Sequence, residues 1–130
     1  MKQYTLINRA LAGVAFLITL ITYMLTLQPS VPFWDCGEFS AATAWQQVPH
    51  PPGAPLFLIV ARLFHMIPIG DPGWRINMVS AVSSAVTAAL VYLIIVKIIE
   101  RWRPFREGGS VTNYLATFGG GLIGTLAFTW

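Results

Sequence analysis

Two carboxylates, Asp35 and Glu38, stand three residues apart in the stretch PFWDCGEFSAATAWQQVPHPPGAP, residues 32–55. Between Arg9 and Arg62 no other Asp, Glu, Lys or Arg occurs. If the segment is helical, this spacing puts both acids on one face. Two neighbouring carboxylates suit general-base work on a hydroxyl, or binding of a divalent metal ion with ligands from elsewhere. Phe33, Trp34, Phe39 and Trp45 form an aromatic collar of the kind that settles at a membrane–water interface. In such a setting the acids are expected to lie out of bulk water, where a carboxylate can be tuned for catalysis. The plainer reading is a pair of solvated loop charges.

His50 follows in a Pro-rich elbow, PHPPGAP, as a turn residue or as a contact for a metal ion or an anion. Farther along, Arg62 and His65 share one helix face. They either snorkel to lipid headgroups or meet the phosphate of a lipid-linked substrate. The candidate site therefore has Asp35 and Glu38 as catalytic residues and as candidate metal ligands. Its candidate substrate contacts are Trp34, His50, Arg62 and His65. No Gly-rich phosphate loop, zinc spacing or nucleophile elbow is present. Cys36 is the single cysteine, which excludes an internal disulfide and a multi-cysteine metal site.

The elements that must position these residues are membrane elements. Of 130 residues, 55% are hydrophobic and 10% charged, against roughly 25% charged in soluble domains. The net charge of +3 does not point to nucleic acid. Its basic residues sit at the ends of apolar runs and form no patch interleaved with aromatics. An all-α, polytopic membrane fold is expected. Residues 10–27 form a first transmembrane helix, just long enough for a hydrocarbon core of roughly 30 Å. No small-x-small cleavage site follows it. Its stripe of Ala12, Ala15, Thr19, Thr22 and Thr26 is expected to pack on another helix.

Residues 28–75 form an external loop. It holds a short interfacial helix over 35–47, and Pro49, Pro51, Pro52 and Pro55 then break regular helix. A juxtamembrane helix over 56–67 is too short to span and ends at Pro68. Residues 76–99 form a second transmembrane helix carrying Asn77, Ser80, Ser84 and Thr87 as a polar packing stripe. Residues 100–112 are a cytoplasmic loop within the cluster of Lys97, Arg101, Arg103 and Arg106, with Glu100 and Glu107. Residues 113–130 form a third helix with the close-packing pattern Gly120-x-x-x-Gly124. The charge asymmetry puts the N-terminus in the cytoplasm and the acidic loop outside. Because Trp130 stands inside an apolar run, the chain is expected to be the N-terminal part of a longer protein.

In this order of parts the chain resembles the N-terminal region of GT-C-type membrane glycosyltransferases. These take sugar from a polyprenyl-phosphate carrier. It looks most like the protein O-mannosyltransferase-like branch of Bacteroidetes-type bacteria. The blocks FWDCGEFSAA (33–42) and VPHPPGAPLF (48–57) carry the match. The aminoarabinose transferases for lipid A share the layout with a PPL-containing elbow. The resemblance implies that Asp35 is the first-loop acid acting at the acceptor hydroxyl and Glu38 the second acid of that motif. It implies an inverting enzyme of the inner membrane, moving a hexose such as mannose from a polyprenyl-phosphate donor to a Ser or Thr hydroxyl of a periplasmic protein. A divalent metal stays open as cofactor. Two other readings also stay open: a transfer to lipid, and a non-catalytic transporter or assembly subunit whose loop acids bind a cation or partner.

Overall fold

A computed structural model describes residues 2–51, 53–102 and 111–129, and among these every regular element is helical. The order is α1 (Lys2–Thr26), α2 (Cys36–Trp45), α3 (Pro55–His65), α4 (Pro72–Trp102) and α5 (Val111–Tyr114). A π-helical turn (Leu115–Gly119) and α6 (Gly120–Thr129) continue α5. The chain divides into two compact units, Met1–Thr22 with Ser83–Trp130, and Tyr23–Val82. Of the basic cluster, Lys97, Glu100 and Arg101 lie in α4, whereas Arg103, Arg106 and Glu107 lie outside the described residues.

α1 and α4 are long and apolar enough to cross a membrane. At 1.5 Å per residue, their 25 and 31 residues reach about 37 and 46 Å. α1 starts at Lys2 and not at residue 10, because no proline or glycine interrupts the run before Gly13. α4 starts at Pro72, where a proline loses no helical hydrogen bond. Asp71 caps this start, its Oδ1 accepting the Gly73 N–H at 2.8 Å. α3, with 11 residues, reaches only about 17 Å.

In the first unit, Ala12, Ala15 and Thr19 of α1 are buried, at 7, 0 and 0% exposure. Ala12 and Ala15 pack into one cluster with Tyr92 and Val96 of α4 and Phe118 of the π-turn. The small side chains let the backbones approach closely. On α6 the tightest glycine is Gly121, where a Cβ would stand 2.7 Å from Val96 Cγ2 and 2.9 Å from Tyr92 Cε2. It lies inside the Gly120-x-x-x-Gly124 pattern; those two glycines have 3.4 and 3.0 Å of clearance from Ile99 and Ile95. The far sides of α1 and α4 are apolar too: Leu17, Ile21, Leu25, Leu90, Ile94 and Ile98 are all exposed.

The second unit positions the acidic stretch. Ala61 of α3 packs on Ile76 and Val79 of α4, with Phe57, Val60 and Phe64 around them. Arg75 closes the C-terminal end of α3, its Nη1 donating to the carbonyls of His65 (2.8 Å) and Ile67 (2.6 Å). Arg62 does the same for α2, donating to the Ala44 carbonyl at 2.7 Å. Asn77 is the one member of the α4 polar stripe that reaches a distant segment. Its Nδ2 donates to the carbonyls of Gln28 and Ser30 at 3.3 and 3.0 Å. Thr87 bonds back to Ser83 within its own helix.

The chain before the acids is seated on α4 at Gly73. A Cβ there would stand 2.7 Å from the Val31 amide nitrogen and 2.8 Å from Val31 Cγ2. Backbone cannot rotate away as a side chain can. Gly73→Ala is therefore expected to destabilise the chain by roughly 1–3 kcal/mol in thermal unfolding in detergent. Gly13→Ala, where nothing lies within 4 Å, should leave stability unchanged or raise it by about 0.5–1 kcal/mol.

Candidate active site

Asp35 occupies the N-cap position of α2 with helical backbone angles, φ −62° and ψ −12°. An N-cap Asp normally folds its carboxylate onto the first amides of the helix, from an extended backbone. Here no such bond forms, so the carboxylate is not committed to holding the helix. Trp34, immediately before it, sits at φ 68°, a left-handed conformation costly for a bulky residue. Its indole is 91% exposed.

Glu38 lies in the first turn of α2, and His50 closes on it from the Pro-rich elbow. The backbone N–H of His50 donates to Oε1 at 2.6 Å and its ring Nδ1 to Oε2 at 2.7 Å. Both carboxylate oxygens are thus held by one residue, twelve positions downstream. Prolines at 49, 51 and 52 lack amide hydrogens, which leaves His50 as the sole backbone donor of that run. Phe39 packs edge-on to the His50 ring at 5.9 Å and 74°, and to Phe57 at 5.9 Å and 88°.

The ring hydrogen bond from His50 is the main cause holding Glu38 below its usual value of 4.5, with the amide bond second. The same ring bond raises His50 above 6.5, helped by the charge of Glu38. The Glu38 contribution to stability is present above pH 4.5 and is lost as the pH falls through the lowered value. That of His50 is complete below pH 6.5 and is lost as the pH rises through the raised value. The clasp is complete between those limits.

Asp35, Glu38 and His50 each offer one ligand atom within 4.8 Å of the others. Glu38 and the His50 ring already satisfy each other, so a shared divalent ion and the clasp are alternatives. An ion held by the three would take the place of the Glu38–His50 hydrogen bond.

Two expectations need correction. The acids are not in a dry pocket: Asp35, Glu38 and His50 are all exposed. Of the aromatic collar, Phe33, Trp34 and Trp45 are exposed at 96, 91 and 78%, as rings that settle at a membrane–water interface would be. Phe39 alone packs beside the acids. Arg62 and His65 also do not form one positive edge. Arg62 is engaged with the Ala44 carbonyl. His65 is pushed below 6.5, first by burial and then by the charges of Arg75 and Arg62, and is neutral at pH 7. Sequence reasoning missed Arg75 and the Glu38–His50 pairing; the lone amide among prolines was the available signal for the second.

The loop thus holds an acid without a capping bond beside one clasped by His50, and it lies in sequence between two helices long and apolar enough to cross a membrane. The family model described as "Protein O-mannosyl-transferase TMEM260 N-terminal domain" matches residues 35–130, and the chain belongs to that family. It is 33% identical over 109 residues to Protein O-mannosyl-transferase TMEM260 of Mus musculus, covering 83% of this chain and 14% of that protein. To Protein O-mannosyl-transferase tmem260 of Dictyostelium discoideum it is 30% identical over 106 residues, covering 79% and 12%. It thus spans about one-seventh or less of the length of these relatives. No solved structure matches it.

Replacing Glu38 with Gln removes the charged acceptor but keeps the shape. In an NMR titration of His50, Glu38→Gln is expected to bring the midpoint back down toward 6.5. An unchanged midpoint would mean that the clasp does not form.

Proposed function

We propose that this chain forms the front of a polytopic membrane glycosyltransferase of GT-C type. The intact protein moves mannose from a polyprenyl-phosphate donor to a Ser or Thr hydroxyl of a protein on the non-cytoplasmic (periplasmic) face of the inner membrane. The observation that carries the reading is Asp35, an exposed, uncapped carboxylate beside the Glu38–His50 clasp, in a chain of the O-mannosyl-transferase TMEM260 family. The outward apolar faces of α1 and α4 support a lipid setting. The acids lie between these helices in sequence and not within a broken membrane helix, as transporter sites do.

The step is a single displacement. The acceptor oxygen bonds to the anomeric carbon while the bond from that carbon to the phosphate oxygen breaks. The acceptor proton passes to Asp35, and the polyprenyl phosphate leaves with the electron pair. One displacement inverts the anomeric carbon. Glu38, fixed by His50, orients the acceptor, and Trp34 offers its exposed ring to the substrate. The charge of the departing phosphate is met by Arg62 through its remaining N–H groups, or by cations elsewhere in the protein.

The test uses full-length protein in membranes with radiolabelled polyprenyl-phosphate mannose. Asp35→Asn should lower transfer by roughly 10²–10⁴-fold, the range of a lost general base, while donor binding survives. Near-wild-type transfer by both Asp35→Asn and Glu38→Gln would show the loop to be a scaffold.

A further inference from the structure

We propose that the cleft behind α2 is the subsite for the hexose of the donor, an inference that rests on the transferase reading above. The cleft encloses about 310 Å³, the low end of the range for small-ligand sites. It begins one residue after Asp35, at Cys36, and lies within the second unit. Phe39 and Phe57 form its aromatic walls, while Ser40 of α2 and Asn77 and Ser80 of α4 add polar groups. Phe39 is shared: one ring both lines the cleft and packs on His50 of the clasp. A ligand against that ring is one side chain away from the acids.

The lining selects among the groups a lipid-linked sugar donor carries. A pyranose has apolar C–H faces for aromatic rings and a rim of hydroxyls for polar partners. Ser40 and Ser80 each offer a hydroxyl that donates and accepts. Asn77 uses its Nδ2 on the carbonyls of Gln28 and Ser30, which leaves Oδ1 to accept from a sugar hydroxyl. A prenyl chain offers these groups nothing, and covering them with hydrocarbon would leave them unpaired. The phosphate is no better suited, since among the described residues no Lys or Arg lines the cleft.

Cys36, exposed and the single cysteine of this chain, reports on the cleft directly. In full-length protein with every other cysteine replaced, the rate of Cys36 alkylation by a maleimide is followed by mass spectrometry. The Asp35→Asn background keeps the donor from being consumed. A short-chain polyprenyl-phosphate mannose should slow alkylation at least tenfold, and the same lipid phosphate without sugar should not. Ser80→Ala should raise the half-protecting donor concentration roughly fivefold, the loss of about one hydrogen bond. Equal protection by the sugar-free lipid, protection by an acceptor peptide alone, or no protection by the donor would each overturn the assignment. If Asp35→Asn still transfers sugar, the base assignment fails, and protection measured with acceptor withheld still decides the cleft.

Discussion

The acidic loop depends on side chains that reach across to carbonyls at helix ends. α2 and α3 have 10 and 11 residues, lengths at which an isolated helix is marginal in water. Their last carbonyls have no partner within the helix. Arg62 supplies one for α2, and Arg75 supplies two at the end of α3. Arg62 lies on α3 and Arg75 on α4, so each donor ties one helix to the next. A charged donor to a buried or half-buried carbonyl is worth more than a neutral one. The chain 28–31 is held in the same way, by the Asn77 amide and by contact at Gly73. The loop is therefore a tied set of short elements, with few charges left over.

Within that frame the two acids have different fates. Glu38 has both oxygens occupied by His50, so it fixes the elbow to α2 and presents a set orientation. Asp35 caps nothing and stands exposed. A strained Trp34 precedes it, and strain of this kind persists where the surrounding structure imposes it. A carboxylate that does not hold the fold is the one that can exchange a proton without unfolding it. The sequence spacing shows the acids as a pair; the structure separates one held by His50 from one that makes no capping bond.

Much of this was legible in the residues. Long uncharged runs specify α1 and α4, and prolines bound the short helices. Of the stripe Ala12, Ala15, Thr19, Thr22 and Thr26, the first three are buried, whereas Thr22 is half-buried and Thr26 exposed. Periodicity places side chains on a face but does not say what that face meets. Arg62 and His65 fall on one face of α3, yet one caps α2 and the other is neutral by burial. Aromatic residues near acids suggested shelter, but Phe33, Trp34 and Trp45 turn outward. Contacts across twelve or more residues, such as Glu38 with His50, depend on how the elbow folds back, and local spacing carries no record of that.

The most direct test of Asp35 as the reacting base is a cryo-electron microscopy structure of the full-length protein with polyprenyl-phosphate mannose and an acceptor peptide bound. If Asp35 is the base, its carboxylate lies within roughly 2.6–3.2 Å of the acceptor hydroxyl, with that oxygen in line with the bond from the anomeric carbon to the phosphate. If another carboxylate holds that hydroxyl and Asp35 is out of reach, the assignment is contradicted.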